Sequence, residues 1–324
     1  KNIPMRTQNS KIQNDQSSFS SFVEPFKIKC PQKKKISERT LQSLFPAGKL
    51  KIGPNRESLT DLVRQVHGSE AFIICTDVKY DSCEGIKKRY GWVPSVKYLF
   101  TILNKIPIEL RFFYEWAASD RPVKLFIDFD SDGDHFIPKK QGWSYLMHFI
   151  DVLTSYLEKN GFNVNPAKDF RFFDSCTAKK TSFHFVLNNF YFRDVRDIEP
   201  FLFYTLSLMK EESRPYFDHG IYSSGRQFRM LGCRKWGKTN MKQLVDTFTF
   251  RNEVYQVSTL GSALFEESLI SCVDVQNSQD LSGIALRDFE TLHNSNSLSD
   301  HTFKRLARKA ISRGHSLPLA EQLI

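Results

Sequence analysis

The segment VKLFIDFDSDGDHF, residues 123–136, constrains the fold more than any other part of the chain. Its first half is branched and aromatic, and its polar positions recur every second residue, as in a strand with one face in a core. From Asp128 on, it carries four aspartates two residues apart. Read as D-x-D-x-D-G, the stretch opens a calcium-binding EF-hand loop. Read as hydrophobic-Asp-hydrophobic-Asp, it is a strand presenting two carboxylates on one face.

The calcium reading fails on its surroundings. The twelfth loop position, where a bidentate Glu belongs, is Lys139; the eleventh is Pro138, expected to obstruct an exiting helix; and the residues before Asp128 have strand character. On a strand, Asp128 and Asp130 lie roughly 6.6 Å apart at Cα and point the same way while Phe129 enters the core. Two such carboxylates can bridge divalent ions about 4 Å apart, as in phosphoryl and nucleotidyl transfer. Asp132 and Asp134, beside Gly133, are expected in a turn beyond the strand.

A second constellation is KKTSFHF, residues 179–185. On a strand, Lys180, Ser182 and His184 share one face and Phe183 and Phe185 bury the other. An ammonium, a hydroxyl and an imidazole in line can grip a triphosphate. The third is DHGIYSSGRQFRMLGCRKWGK, residues 218–238: a lone Asp218, then Arg226, Arg229, Arg234, Lys235 and Lys238 interleaved with Tyr222, Phe228 and Trp236. Interleaving of this kind suits a site where phosphates need cations and bases need planar surfaces. Taken singly, the three also read as a solvated strand end, a structural histidine and a basic hairpin.

Length allows two units, or one composite catalytic domain with extensions. Residues 1–55 are rich in Ser, Gln, Asn and Lys, include Lys33-Lys34-Lys35, and read as a basic flexible arm, a nuclear signal or a mitochondrial targeting remnant. Residues 56–290 read as a globular core and 291–324 as a helical or flexible tail. Helices are predicted over 144–160, with Gly161 at the cap, and over 195–211. Strands are predicted over 123–130 and 182–187, and 218–235 as two strands joined at Gly225. Strands interleaved with helices give an α+β (mixed α/β) fold with a covered sheet. A start at Lys1 reads as a processed product or a fragment.

No stretch reaches the ~18 apolar residues of a membrane span, so no membrane partner is expected and the protein reads as intracellular. The six cysteines (Cys30, Cys75, Cys83, Cys176, Cys233, Cys272) form no zinc-spaced group, so reduced thiols and no zinc are expected. A net charge of +10 suits a polyanionic partner.

The order D-x-D, S-x-H, then a lone Asp followed by R-x-F-R and a Lys resembles the archaeo-eukaryotic primase superfamily, and within it the eukaryotic primase-polymerase (PrimPol) branch. YEWAASDRPVKLFIDFD, DSCTAKKTSFHFVL and DHGIYSSGRQFRMLGCRKWGK each look like the corresponding segments, and the likeness covers about residues 60–290. The resemblance implies a fold of an α/β module beside an RRM-like module with the active site in the cleft between them. It implies a template-dependent primase-polymerase in which Asp128, Asp130 and Asp218 hold two Mg²⁺ or Mn²⁺ ions. Lys180, Ser182, His184, Arg229 and Lys235 would bind the nucleoside triphosphate, with Tyr114 beside the incoming sugar. Arg64 and Gln65 would lie near template and nucleotide, and Arg226 and Lys238 near nucleic-acid phosphates. The implied partners are single-stranded DNA template, primer, ribo- or deoxyribonucleotides and replisome components such as a single-strand-binding protein, acting on a monomer in nucleus, mitochondrion or a viral factory. Two departures stand out: animal members of the branch carry Glu where this chain has Asp130, and the branch's C-terminal zinc module has no counterpart here. A nucleic-acid-binding relative without catalysis, and a two-metal nuclease, are the competing readings.

Overall fold

In the computed structural model, residues 72–79, 86–119, 121–257, 261–284, 286–294, 299–318 and 321 are described. In chain order the elements begin with β1 (Phe72–Lys79), β2 (Ile86–Val93), α1 (Val96–Lys105), β3 (Phe113–Ala117), β4 (Val123–Asp132) and α2 (Lys139–Lys159). They continue with α3 (Pro166–Asp169), β5 (Phe170–Asp174), β6 (Lys180–Phe192), α4 (Ile198–Ser207), β7 (Arg226–Arg229) and β8 (Gln243–Val245). The last are β9 (Thr247–Phe250), β10 (Glu253–Gln256), α5 (Gly261–Ser268), β11 (Gln279–Asp280), α6 (Thr291–Asn294) and α7 (Asp300–Ile311). The fold is α+β, with largely antiparallel sheets and several helices. No helix among the described residues is long and apolar enough to cross a membrane.

Two sheets carry the architecture. The first has the order β2-β1-β3-β7 and is antiparallel throughout. Its alternation is strict: Phe72, Ile74, Val93 and Phe113 face a core closed by Leu99, Ile102 and Leu103 of α1 and by Phe265 of α5, whereas Ile73, Trp92 and Trp116 gather on the other face. The second sheet is built on β6, whose 13 residues pair β4 along one edge and β5 and then β11 along the other. Its phenylalanines at period two (Phe170 and Phe172, Phe183 and Phe185) are buried; Phe170, Phe172 and Phe185 meet edge-on or tilted at 5.0 to 5.9 Å, and Phe183 meets Trp143 edge-on at 5.3 Å. Aromatic rings prefer such tilted contacts, which bind this layer beyond simple area burial.

Helix α2 covers this sheet with Leu146, Phe149, Ile150, Leu153 and Leu157, the spacing expected of it. It begins before residue 144, directly after Pro138, because proline is tolerated at a helix start where no intrahelical N–H is required. Pro138 therefore does not block a helix, contrary to expectation. The EF-hand is excluded instead by Lys139 and by the strand that precedes the aspartates. Gly161 adopts φ 83° just past the helix, the left-handed geometry that favours glycine. Helix α4 stops at Ser207, short of residue 211, and Arg214 donates to the Ser207 and Met209 carbonyls at its end, each at 3.1 Å from one guanidinium nitrogen.

Two further expectations change. Residues 218–235 hold one strand, not two: Gly225, at φ 76°, turns the chain into β7, and the residues before it form turns tied down by the Tyr222 hydroxyl, which donates to the Phe126 carbonyl at 2.8 Å. Asp132 belongs to β4 and faces Lys180 in the ladder, so only Asp134 sits in the following turn. The C-terminal segment is helical, and Phe303, Leu306, Ala307 and Ala310 of α7 enter the main core. Arg305 reaches Glu199 at 2.7 Å, and Arg313 pairs with Asp197. Cys75 and Cys233 are buried and Cys176 and Cys272 half-buried; Cys30 and Cys83 lie outside the described residues.

At Lys124 the β4–β6 register shifts, and the bulge swings this lysine toward the end of α5, where its ammonium donates to the Glu266 and Glu267 carbonyls, both at 3.1 Å. Burial lowers its pKa to about 8. Between about 8 and the ordinary value of 10.5, the unfolded chain binds more protons than the folded one, so this group makes stability rise with pH across that window. Lys124→Met is expected to remove up to about 3 kcal/mol of that rise, read from urea unfolding at pH 7 to 10; an unchanged slope refutes it.

Gly142 marks the closest approach of α2 to the sheet. A Cβ there would stand 2.6 Å from Thr181 Cγ2 and 3.1 Å from Phe129 Cε1, the strands that carry Asp130 and Ser182. Gly142→Ala should lower stability by about 1 to 2 kcal/mol net, because overpacking outweighs alanine's helix propensity. A raised urea midpoint would contradict this.

Candidate active site

The β4–β6 ladder sets Asp128 opposite His184, Asp130 opposite Ser182 and Asp132 opposite Lys180. Residues facing each other across an antiparallel pair project to the same side. Two motifs that the chain separates by some fifty residues therefore share one patch, backed by Phe129, Phe183 and Phe185 on the core face. Asp218 is delivered by a different route. Phe217 bridges to Phe129 and packs edge-on against it at 5.2 Å, and the Asp218 N–H donates to the Asp128 carbonyl at 2.9 Å. The third carboxylate is thus stitched to the strand that bears the first two.

Three acids this close repel one another. The Asp128 pKa is pushed up to about 7, first by burial, then by Asp130 and Asp218, against the pull of Lys235 and Lys180. One carboxylate oxygen on each of Asp128 and Asp130 is closed off from solvent and has no hydrogen-bond partner. Buried acceptors without donors are costly, and a divalent ion with hard oxygen preference would satisfy them. Among the described residues no group of three or more His, Cys, Asp and Glu side chains is close enough to hold an ion alone. Mg²⁺ characteristically takes one or two carboxylates and completes its shell with other oxygen donors, and the chemistry of this donor set fits such an ion.

Positive charge rings the acids. Lys180 pairs with Asp130 at 2.6 Å and reaches Asp132 at 3.7 Å. His184 is buried, and its Nε2 lies 3.6 Å from Asp128, beyond hydrogen-bond range. Burial first, then Lys242, Arg229, Lys235 and Lys180, drive its pKa well below the ordinary range, so the ring is neutral at physiological pH. Arg229, on β7 of the first sheet, is buried, and its Nε has no partner. Its charge acts on both Asp128 and Asp130. Lys235 is exposed, on the loop after β7, and also acts on Asp128.

Tyr114 lies opposite Arg229 in the β3–β7 ladder of the first sheet, and the Arg229 charge acts on Asp128 and Asp130 of the second. Its hydroxyl donates to Asp77 Oδ2 at 2.7 Å, and burial and Asp77 together hold the phenol strongly protonated. Arg226 is exposed and three residues from Arg229, on the opposite face of β7, and Lys238 is exposed near the loop tip; neither joins the acid cluster. Arg64 and Gln65 lie outside the described residues.

Two expected stacking surfaces are instead core. Tyr222 packs on Phe126 at 5.1 Å, and Phe228 lies between Phe126 and His184 at 4.9 and 5.3 Å, so neither ring is open to a base. Trp236 rests on Phe112 at 4.9 Å. Sequence reasoning also missed three buried charges. Lys242 is fully buried, donates to the Arg229 carbonyl at 2.9 Å and sits over the Phe228 and Phe173 rings at 4.0 and 4.4 Å. Burial lowers its pKa to about 7. Glu115 is fully buried and accepts from the Ser271 N–H and hydroxyl at 3.0 and 2.9 Å. Asp77 holds Lys88 at 2.5 Å and Tyr114. The available signal was a single charge inside an apolar run, as in YEWAA and IICTDV.

No protein-family model matches the sequence. Comparison with curated proteins returns no match.

The clustered acids predict opposite effects with and without ions. Asp128→Asn should leave the melting temperature unchanged or raise it in chelator, because it removes a repelled charge. It should abolish the further rise that Mn²⁺ plus a non-hydrolysable nucleoside triphosphate gives the wild type. A wild type that Mn²⁺ and nucleotide do not stabilise would contradict the ion-site reading.

Proposed function

We propose that the chain is a template-dependent DNA primase-polymerase of the archaeo-eukaryotic primase type, joining nucleotides by nucleotidyl transfer with two divalent ions. The observation that carries this reading is the register of β4 on β6, which lays the D-x-D carboxylates against the Ser and His of S-x-H while Asp218 bonds to the Asp128 backbone. A carboxylate cluster alone serves nucleases equally well. A hydroxyl, a neutral imidazole and buried guanidinium beside it suit a triphosphate. On this reading the two sheets belong to the family's two modules, and the site is the cleft where Arg229 and Tyr114 of one meet Asp128 and His184 of the other.

Mg²⁺ or Mn²⁺, held by Asp128, Asp130 and Asp218, would supply charge neutralisation for in-line displacement at the α-phosphorus. The chain's own groups then have distinct tasks. Lys180 neutralises Asp130 in the free protein and would turn to the triphosphate once the carboxylate has another partner. His184, kept neutral, offers a ring N–H to a phosphate oxygen without adding charge to a crowded cationic shell. Arg229, fixed by Lys242 beneath its carbonyl, places a buried guanidinium where phosphate charge develops. Ser182 adds a hydroxyl, Lys235 an exposed ammonium, and Tyr114 a neutral phenol for the sugar. Arg226 and Lys238, exposed and apart from the acids, suit the phosphates of single-stranded DNA. Replisome partners, a monomeric state and a nuclear, mitochondrial or viral setting belong to the same proposal.

Incubation with single-stranded DNA, labelled ribo- or deoxyribonucleotides and Mg²⁺ or Mn²⁺, with and without primer, should yield products. Asp128→Ala should reduce synthesis to background, and His184→Ala or Arg229→Ala should lower kcat/KM on the order of 100-fold. No product from the wild type under any of these conditions would sink the proposal. Salt-sensitive DNA binding indifferent to nucleotide would then favour a binding module, and primer degradation without nucleotide a nuclease.

A further inference from the structure

Lys88, Asp77, Tyr114 and Arg229 form one polar row across the four strands of the first sheet. Asp77 faces Lys88 in the β1–β2 ladder, and Tyr114 faces Arg229 in the β3–β7 ladder. Cys75 faces Tyr114, and Asp77, two residues further along β1, lies on the same side. The row continues into the acid cluster, because the Arg229 charge acts on Asp128 and Asp130.

Asp77 is the hinge of this row. Its side chain is buried, and it makes three contacts: the Lys88 ammonium at 2.5 Å, the Tyr114 hydroxyl at 2.7 Å and the Trp236 N–H at 3.3 Å. Lys88 in turn stands over the Tyr114 ring, 3.4 Å from its centroid. The tyrosine is thereby fixed from two directions, its hydroxyl by a carboxylate and its ring by an ammonium. The third contact pins the loop next to Lys235.

We infer that Asp77 is a positioning residue for sugar selection: it holds Tyr114 and the Lys235 loop in fixed relation, so that the pentose is read against a rigid phenol while the triphosphate is gripped by the loop. This rests on the primase-polymerase reading for its substrate, and extends it to a residue that touches no nucleotide. Loss of Asp77 frees two things with separable signatures. A loosened loop weakens ribo- and deoxyribonucleotides alike, raising both KM values together. A freed Tyr114 acts on the sugar alone and moves the ratio between them.

The test compares kcat/KM for ribo- and deoxyribonucleotides in primer extension by wild type, Asp77→Ala, Asp77→Asn, Tyr114→Phe and the double variant Asp77→Ala/Tyr114→Phe. Lys88 is 34% exposed, so its ammonium can reach water when Asp77 is removed, and Asp77→Asn keeps the shape should the alanine variant not fold. In Asp77→Ala the preference for one sugar should move toward unity by about tenfold, the worth of one hydrogen bond to a charged group. Asp77→Asn, which can still accept from the phenol, should shift it less. In the Tyr114→Phe background, Asp77→Ala should shift the ratio no further, because the partner through which it acts is gone. A wild-type ratio in both Asp77 variants, or a full further shift in the double variant, overturns the inference while leaving the polymerase reading intact. A wild type that extends no primer with either sugar overturns both.

Discussion

The antiparallel pairing of β4 with β6 is the constraint on which the rest depends. It is a backbone interaction whose register is fixed by phenylalanines: a slip of β4 by one residue on β6 would turn Phe129 away from Phe183 and Phe185 and turn Asp128 and Asp130 toward the core. The apolar face therefore specifies the polar face. Helix α2 clamps the same pair at Gly142, and Phe217 packs on Phe129 to bring Asp218 along. Packing on one side of the sheet arranges chemistry on the other.

The electrostatics follow from that crowding. Burial, and then the neighbouring Asp130 and Asp218, raise the Asp128 pKa, while burial and then the surrounding cations push His184 in the other direction. On the proposed reading, a divalent ion with a polyphosphate would complement both halves, neutralising the acids and giving the cations an anionic partner. The fully buried Lys242 and Glu115 belong to the same field, because Lys242 underlies Arg229 and acts on Glu115 and Asp128. Local frustration of this kind, in a fold that is otherwise well satisfied, is what marks the cluster as the candidate site.

Much of this was legible in sequence where the signal is local. Period two in VKLFIDFD and SFHFVL marks strands, period 3.6 marks α2, and the calcium loop fails at Lys139. Boundaries were less legible. Proline at a helix start and the carbonyls taken up by Arg214 turn on local backbone geometry that the hydrophobic period does not register, whereas the bulge at Lys124 goes with contacts to Glu266 and Glu267 far along the chain. The segment around Tyr222 and Phe228 misled because aromatic residues among arginines look the same whether they stack on bases or fill a core. Which they do depends on Phe126, about a hundred residues earlier.

By itself the sequence determined which residues are candidates for chemistry and which side of each strand they occupy, because side-chain alternation is a property of the extended backbone. Only the tertiary structure decided which of them stand together. Strand register set Asp128 beside His184, the bridge between Phe129 and Phe217 brought Asp218 to them, and the β3–β7 pairing joined Tyr114 to Arg229. It alone disclosed Asp77, Glu115 and Lys242, since a charge becomes buried and consequential only when the chain closes over it, and that closure is made by residues far away in sequence.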